Sequence, residues 1–138
     1  ARPVCDTAQL AEVVRDAIPA ATRRRGGHPA KRTFQAIRIE VNAELDQLGD
    51  ALDGAVRRLV PTGRGAVLSY HSGEDRIVKH CFDRVATGGC NCPRLLPCTC
   101  GATSLAVLPR RAGLVPSEDE ARDNPRAASA RLRVLERR

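Results

Sequence analysis

The sequence contains no methionine and no tryptophan, and its only aromatic residues are Phe34, Tyr70 and Phe82. Its core must therefore be built from valine, leucine, isoleucine and alanine, with little contribution from large rings. The 138 residues suffice for one modest domain. Because translation starts at methionine and this chain starts with Ala1, we expect a processed protein or a piece of a longer one.

Long apolar runs are also missing. No stretch of about 18 apolar residues occurs, so no transmembrane helix is predicted. The first residues lack the basic-then-apolar order of a signal peptide. Six cysteines in a chain without an export signal indicate reduced thiols or metal ligands rather than disulfides. We therefore expect a cytoplasmic protein with no membrane partner.

Acidic residues are fewer than basic residues in this sequence. The 16 aspartates and glutamates are set against 23 basic residues, all but two of them arginines, and the net charge is +7. Arginine binds phosphates through a planar fork of donors, which favours an acidic partner, nucleic acid first. The alternative is a coding bias toward arginine with a well-solvated surface. Charge alone leaves both interpretations open.

Apolar spacing predicts two helices in the first part of the chain. The first is capped by Asp6 or Thr7 and ends at Pro19. A second apolar stripe steps by three and four over residues 31–59, which predicts one long helix that Gly49 or Gly54 bends or divides.

The rest of the chain alternates predicted strands and helices. Residues 65–70 predict a buried strand, and Ser72 with Asp75 predicts a capping box at the start of the next helix. A strand at 104–108, a short acidic helix opened by Ser117 and a final strand at 130–135 with one basic face follow. This order predicts an α/β fold, although three strands make a thin sheet.

Two strings are dense in polar side chains that helix or strand building does not need, at residues 28–42 and 69–79. In the first, Lys31 and Arg32 lie at a helix start, where the helix dipole favours an anion, and Arg38 and Asn42 lie one turn apart. In the second, His71 and Ser72 follow a strand at the end where open α/β sheets place ligands. The plain alternatives are a charged helix with a capped start and a helix cap surrounded by surface charge.

Four cysteines form a separate cluster. Two Cys-x-Cys pairs, Cys90 with Cys92 and Cys98 with Cys100, are separated by five residues. Four thiolates can hold a structural zinc ion tetrahedrally, although Cys-x-x-Cys is the usual spacing. The alternative is a reduced, cysteine-rich surface loop.

Three strings in order resemble the C-terminal half of the MraW (RsmH) family of methyltransferases. The first comprises His28-Pro29-Ala30, the stretch from Arg32 to Ala36, Arg38-Ile39, Val41-Asn42 and Glu44-Leu45. The second resembles the family's Ser-Phe-His-Ser-Leu-Glu-Asp-Arg-Ile-Val-Lys, with Tyr70 in place of Phe and Gly73 in place of Leu, and we expect Gly73 to loosen the loop. The third is Asn124-Pro125-Arg126, followed by Ser129-Ala130, Leu132-Arg133 and Glu136-Arg137. The three strings lie between residues 28 and 137 of the chain.

The resemblance implies the C-terminal portion of a Rossmann-like class I fold. Residues 1–30 would be the tail of a helical insertion for substrate recognition, and residues 31–138 would be the later part of the methyltransferase domain, with a cysteine-rich loop at 87–101. No glycine-rich strand-to-helix turn is present, so the S-adenosylmethionine site is expected upstream, in the protein's own N-terminal half. The chain alone is therefore expected to be inactive.

The implied reaction is S-adenosylmethionine-dependent methylation of the N4 amine of a cytosine in 16S ribosomal RNA of the small subunit. The resemblance places Lys31, Arg32, Arg38, Asn42, His71 and Ser72 against RNA, with Arg23 to Arg25 as further phosphate contacts, and assigns no catalytic residue. Zinc on Cys90, Cys92, Cys98 and Cys100 would be a local staple. A zinc-stapled basic module that binds RNA or protein is the alternative, and a structural fragment without activity is a third. The sequence leaves pairing with a second copy as a homodimer open.

Overall fold

A computed structural model describes residues 3–19, 28–93, 97–110 and 113–138. They form helices α1 (Thr7–Ala17), α2 (Lys31–Asn42), α3 (Glu44–Arg58), α4 (Ser72–Thr87) and α5 (Glu118–Asp123). The structure also contains three strands, β1 (Arg64–Ser69), β2 (Ala106–Val107) and β3 (Arg131–Arg137), and a 3-10 turn at Ala127–Ser129. The mixed α/β class predicted from the sequence is confirmed. Every helix within the described ranges is too short or too polar to cross a bilayer.

The chain divides into two compact units, Ala1–Glu44 and Leu45–Arg138. In the first, Asp6 caps α1 by accepting a hydrogen bond from the backbone N–H of Gln9 at 2.8 Å. Helix α1 ends as predicted before Pro19, with Ile18 in an extended conformation. The predicted domain boundary near residue 30 stays a prediction.

The single long helix predicted over residues 31–59 is wrong. Ala43 adopts a left-handed conformation (φ 48°, ψ 37°) and separates α2 from α3, whereas Gly49 and Gly54 lie inside α3. A left-handed alanine costs roughly 1–2 kcal/mol. The carboxylate of Glu44 offsets part of this cost, because it binds two side chains from the last turns of α2.

The second unit packs α3 and α4 on one face of a three-stranded sheet. Strand β3 is central and antiparallel to both neighbours, in the order β1-β3-β2. Strands β1 and β2 are therefore parallel to each other, and α4 connects them along the chain. The register pairs Gly65 with Leu135 and Ser69 with Arg131. This arrangement places the last described strand in the middle of the sheet.

The core lies between the two helices and this face of the sheet. It comprises Leu52, Val56, Val78, Cys81, Phe82, Ala106 and Leu135. Val78, Cys81 and Phe82 come from the face of α4 that the sequence pattern predicted. Burial of each large aliphatic or aromatic side chain contributes roughly 1.5–3 kcal/mol.

The opposite face of the sheet is largely uncovered in the described part of the chain, so β1 is not the buried strand that its apolar run predicted. Its residues alternate between exposed and partly buried, and only Ser69 is buried. Leu68 is 52% exposed and Val115 is 55% exposed. Apolar side chains of this size at such exposure mark a face suited to further covering structure.

Candidate functional site

A reciprocal capping box holds the junction between β1 and α4. The His71 imidazole accepts a hydrogen bond from the backbone N–H of Glu74 at 3.3 Å. The Glu74 carboxylate in turn accepts from the backbone N–H groups of Tyr70 at 2.8 Å and His71 at 3.3 Å. The predicted box of Ser72 with Asp75 is therefore wrong by one residue. Ser72 is the exposed first residue of the helix, and Asp75 remains available for another partner.

The capping box fixes the imidazole ring of His71. Because Nδ1 accepts the hydrogen bond, Nε2 carries the proton in the neutral ring. The side chain is 14% exposed, and among the described residues its Nε2 atom makes no hydrogen bond. Oε1 of Glu74 lies 3.2 Å from Nε2 without forming a hydrogen bond with it. A buried donor in this state is poised for an acceptor from outside.

Gly73, which is expected to loosen the loop, lies in the first turn of α4, and its effect on mobility stays a prediction. Gly73 is the second residue of α4, and a Cβ atom there would lie 3.1 Å from Nδ1 of His71. The missing side chain therefore lets the imidazole approach the helix start closely. The backbone amides here already bind the carboxylate of Glu74, so this helix start does not offer an empty anion site.

Asp75 forms an ion pair with Arg133 of β3. Its two carboxylate oxygens accept hydrogen bonds from Nε at 2.7 Å and Nη2 at 3.0 Å. The side chains of Asp75 and Arg133 are only 21% and 11% exposed. The Arg133 hydrogen bonds lower the pKa of Asp75 against the opposing effect of burial, and the same hydrogen bonds raise the pKa of Arg133.

The predicted basic face of the final strand is only partly exposed, because Arg131 is exposed whereas Arg133 and Arg137 are partly buried. Arg131, Arg133 and Arg137 share the face on which Leu135 packs into the core. Arg137 donates from Nη1 to the carbonyl oxygens of Val56 at 2.8 Å and Arg57 at 3.0 Å, at the C-terminal end of α3. Two of these arginines thus stabilise the fold.

Lys31 and Arg32 occupy the first turn of α2, and both are exposed. The N-cap residue, Ala30, offers no side-chain acceptor to the helix. The imidazole Nδ1 of His28 accepts a hydrogen bond from the backbone N–H of Ala30 at 3.2 Å. This helix start combines backbone N–H groups without a side-chain cap and two cations, which are the features that favour a phosphate.

Arg38 and Asn42 both bind Glu44. Arg38 contacts the carboxylate through Nε at 3.0 Å and Nη2 at 3.1 Å, and Asn42 donates from Nδ2 at 2.9 Å. The sequence interpretation missed Glu44 because it lies on the polar side of the apolar stripe. Glu44 lies six residues after Arg38, and on a continuous helix the two side chains would not reach each other. The break at Ala43 brings the Glu44 carboxylate close to Arg38.

The four clustered cysteines come together. The Sγ atoms of Cys90 and Cys98 are 3.4 Å apart, those of Cys98 and Cys100 are 3.3 Å apart, and all four lie within 4.8 Å of one another. The backbone N–H of Cys92 lowers the pKa of the Cys90 thiol. The sulfurs of Cys98 and Cys100 and the other neighbouring groups together raise it by a larger amount, so the net result is a raised pKa of about 12.

The other two cysteines differ from this cluster. Cys81 is buried on the apolar face of α4 and donates to Asp53 at 3.3 Å. Burial, followed by the Asp53 hydrogen bond, raises its pKa to about 11. Cys5 is exposed. A buried thiol with a raised pKa is unreactive, so Cys81 is a structural residue.

The predicted RNA-facing residues fall into two groups. Lys31, Arg32, Arg38 and Asn42 lie in the unit Ala1–Glu44, and His71 and Ser72 lie in the unit Leu45–Arg138. The structure groups Arg38 with Asn42 around one carboxylate and places His71 next to Ser72 at one strand end. Arg23 to Arg25 lie outside the described residues.

Comparison with known proteins gives consistent matches over the whole chain. A model described as the MraW methylase family matches residues 1–138. A protein named ribosomal RNA small subunit methyltransferase H, from Symbiobacterium thermophilum, is 53% identical over 135 residues, 97% of this chain and 42% of that protein. Proteins with the same name from Heliobacterium mobile and Brevibacillus brevis are 50% and 47% identical over 137 residues. The chain spans less than half the length of these relatives, 44% and 43% for the latter two.

Proposed function

This chain belongs to the MraW methylase family, and we propose that it is the C-terminal part of an S-adenosylmethionine-dependent methyltransferase that acts on ribosomal RNA of the small subunit. The observation that carries the proposal is the family match over residues 1–138, together with relatives named for this activity at about 50% identity. The finer proposal, taken from the resemblance, is transfer to the N4 amine of a cytosine in 16S ribosomal RNA, in the cytoplasm.

The sheet supports a place within a larger Rossmann-like domain. Parallel strands β1 and β2, connected through α4, form the kind of crossover unit from which such sheets are built. The outer edge of β1 has no strand partner among the described residues. The sheet face that contains the exposed Leu68 is apolar around it, at Ala66 and Leu132, and carries the Arg64–Glu136 ion pair at its other end. We propose that the N-terminal half adds strands at this edge and covers this face.

We propose that the described residues do not complete the S-adenosylmethionine site by themselves. The one described turn from a β-strand directly into a long helix is the His71 junction, and Glu74 already occupies its backbone amides. A carboxylate there would also repel the carboxylate of the cofactor's amino acid portion. We place the cofactor site in the N-terminal part of the relatives, which this chain does not cover.

RNA recognition is proposed for the start of α2 and the end of β1. Lys31 and Arg32 would bind phosphates at a helix start with no side-chain cap. Arg38 and Asn42 would release Glu44 and bind RNA instead. The Arg38 side chain is more than half exposed, and an ion pair that is exposed to water is weak. His71 and Ser72 would line the pocket for an unstacked base. The chain's contribution to catalysis is then positioning of a weakly basic amine.

A hybrid enzyme tests this function. This chain replaces the C-terminal part of the Symbiobacterium thermophilum relative, and methyl transfer from labelled S-adenosylmethionine to unmethylated small-subunit particles is measured. We expect the hybrid to methylate one cytosine and the isolated chain to bind no cofactor. A folded hybrid that transfers no methyl group to RNA would contradict the proposed function.

The isolated chain separates the rival function from this one. A zinc-stapled binding module would bind RNA or protein equally well alone and in the hybrid, without methyl transfer. Micromolar binding of S-adenosylmethionine by the isolated chain would instead contradict only the proposed location of the cofactor site.

A further inference from the structure

We propose that Cys90, Cys92, Cys98 and Cys100 bind one structural zinc ion as four thiolates. Their Sγ atoms all lie within 4.8 Å of one another, and the shortest separations are 3.3 and 3.4 Å. A tetrahedral zinc ion with Zn–S bonds of about 2.3 Å holds its sulfurs about 3.8 Å apart. The four sulfurs therefore surround a space of the right size, and small shifts complete the tetrahedron.

The same separations do not fit disulfides. A disulfide needs an S–S distance of about 2.05 Å, and all six cysteines in the structure have free thiols. The backbone N–H of Cys92 lies 3.4 Å from Sγ of Cys90, in position to donate to it. Such N–H donors stabilise a metal-bound thiolate from outside the coordination sphere.

The residues of the cysteine loop that the structure describes, 88–93 and 97–105, bury no apolar side chain. It leaves α4 through hydrogen bonds from Gly89 N–H to the Arg84 carbonyl and from Cys90 N–H to the Thr87 carbonyl. It returns beside α4 through a hydrogen bond from Leu105 N–H to the Val85 carbonyl. No described residue between Gly88 and Leu105 is buried. A metal crosslink would supply the stabilisation that apolar burial does not supply here, as in other small structures that are held together by a bound metal ion.

Zinc binding at this site releases protons. Four neutral thiols and one Zn²⁺ ion give a complex of net charge −2 and up to four protons, without any oxidation or reduction. Zinc affinity therefore rises with pH. This site makes no use of the methyl-transfer reaction, so its test is independent of the proposed function.

Metal analysis of the purified protein tests the site. After purification with a thiol reductant and without chelator, elemental analysis should find one zinc per chain. Cys90→Ser and Cys98→Ser should each lose it, and the exposed Cys5→Ser variant, outside the cluster, should keep it. Cobalt substitution of the unmodified protein should give the visible absorption bands of tetrahedral cobalt bound to thiolates.

The cobalt spectrum keeps the test valid if the serine variants do not fold. Wild-type protein without bound metal after zinc is supplied would overturn the proposal. So would unchanged zinc content in Cys98→Ser, an octahedral cobalt spectrum, or a disulfide among these four cysteines in the reduced protein, detected by mass spectrometry.

Discussion

Arg133 lies on the basic face predicted for the final strand, and its guanidinium is partly buried in an ion pair with Asp75 of α4. The alternation shows which residues share a face but not which face the helices cover. Leu135 and Arg133 lie on the same face, and burial of Leu135 takes Arg133 with it. Asp75 supplies the opposite charge because the true N-cap is His71, one residue earlier than the pattern indicates.

We expect Asp75→Asn to lower the free energy of unfolding by about 2 kcal/mol, because it leaves a partly buried guanidinium without its counter-charge. Urea unfolding at neutral pH measures the change. The matched control is the exposed Asp123→Asn, which should change stability by no more than about 0.5 kcal/mol. Equal effects of the two variants would show that the ion pair does not stabilise the fold.

The same pair predicts a pH dependence. The pKa of Asp75 is lowered from its usual 3.8 in the folded state, so its contribution is complete above about pH 4–5 and is lost as pH falls through the folded pKa. The stability difference between wild type and Asp75→Asn should therefore shrink below about pH 4. A difference that stays constant down to pH 2 would contradict this linkage.

Arg32→Ala should weaken RNA binding by the hybrid enzyme and reduce the slope of log affinity against log salt by about 0.7–0.9, the value for one lost phosphate contact. The control is Arg122→Ala on α5, an equally exposed arginine paired with Asp119. Filter binding or fluorescence anisotropy at several salt concentrations measures both. An unchanged slope in Arg32→Ala would remove this residue from the RNA interface.

At the level of elements, periodicity predicted helices well and their ends less well. Asp6, Ser117 and the apolar face of α4 could be identified because caps and helical spacing are local signals. The break at Ala43 could not, because alanine favours a continuous helix. It is held by Glu44, whose contacts become visible only once the chain has turned. The cysteine cluster was predicted from spacing alone, and its convergence is a property of the folded loop.

The C-terminal end of α4 depends on one glycine. Gly88 has φ +65°, and a Cβ atom there would lie 2.4 Å from the carbonyl oxygen of Thr103. We expect Gly88→Ala to cost about 3 kcal/mol, from left-handed strain together with displacement of the returning loop. Gly89→Ala is the matched control: its φ is +76° but nothing lies within 4 Å, so about 1 kcal/mol is expected. Similar unfolding midpoints would disprove the close contact.

On the scale of the whole molecule, the described sheet leaves the outer edges of β1 and β2 without strand partners among the described residues and one face largely uncovered. We expect the amides of β1 that point away from β3 to exchange rapidly in the isolated chain and at least about tenfold more slowly in the hybrid, where a new strand would protect them. Hydrogen exchange read by mass spectrometry measures this. The β3 amides that already bond to a neighbouring strand in the described sheet serve as the internal reference. Equal β1 exchange in the two proteins would place the N-terminal half elsewhere.

The central position of β3 has a consequence for the order in which the protein can assemble during synthesis. Ser69 on β1 bonds to Arg131, 62 residues later, and Arg64 bonds to Glu136, 72 residues later. Contacts across such long separations form slowly. While the ribosome is still making those residues, β1 and β2 lack β3, the strand with which both of them pair, and are open to wrong partners. A stop codon just before Arg131 would therefore remove the strand on which the whole sheet depends.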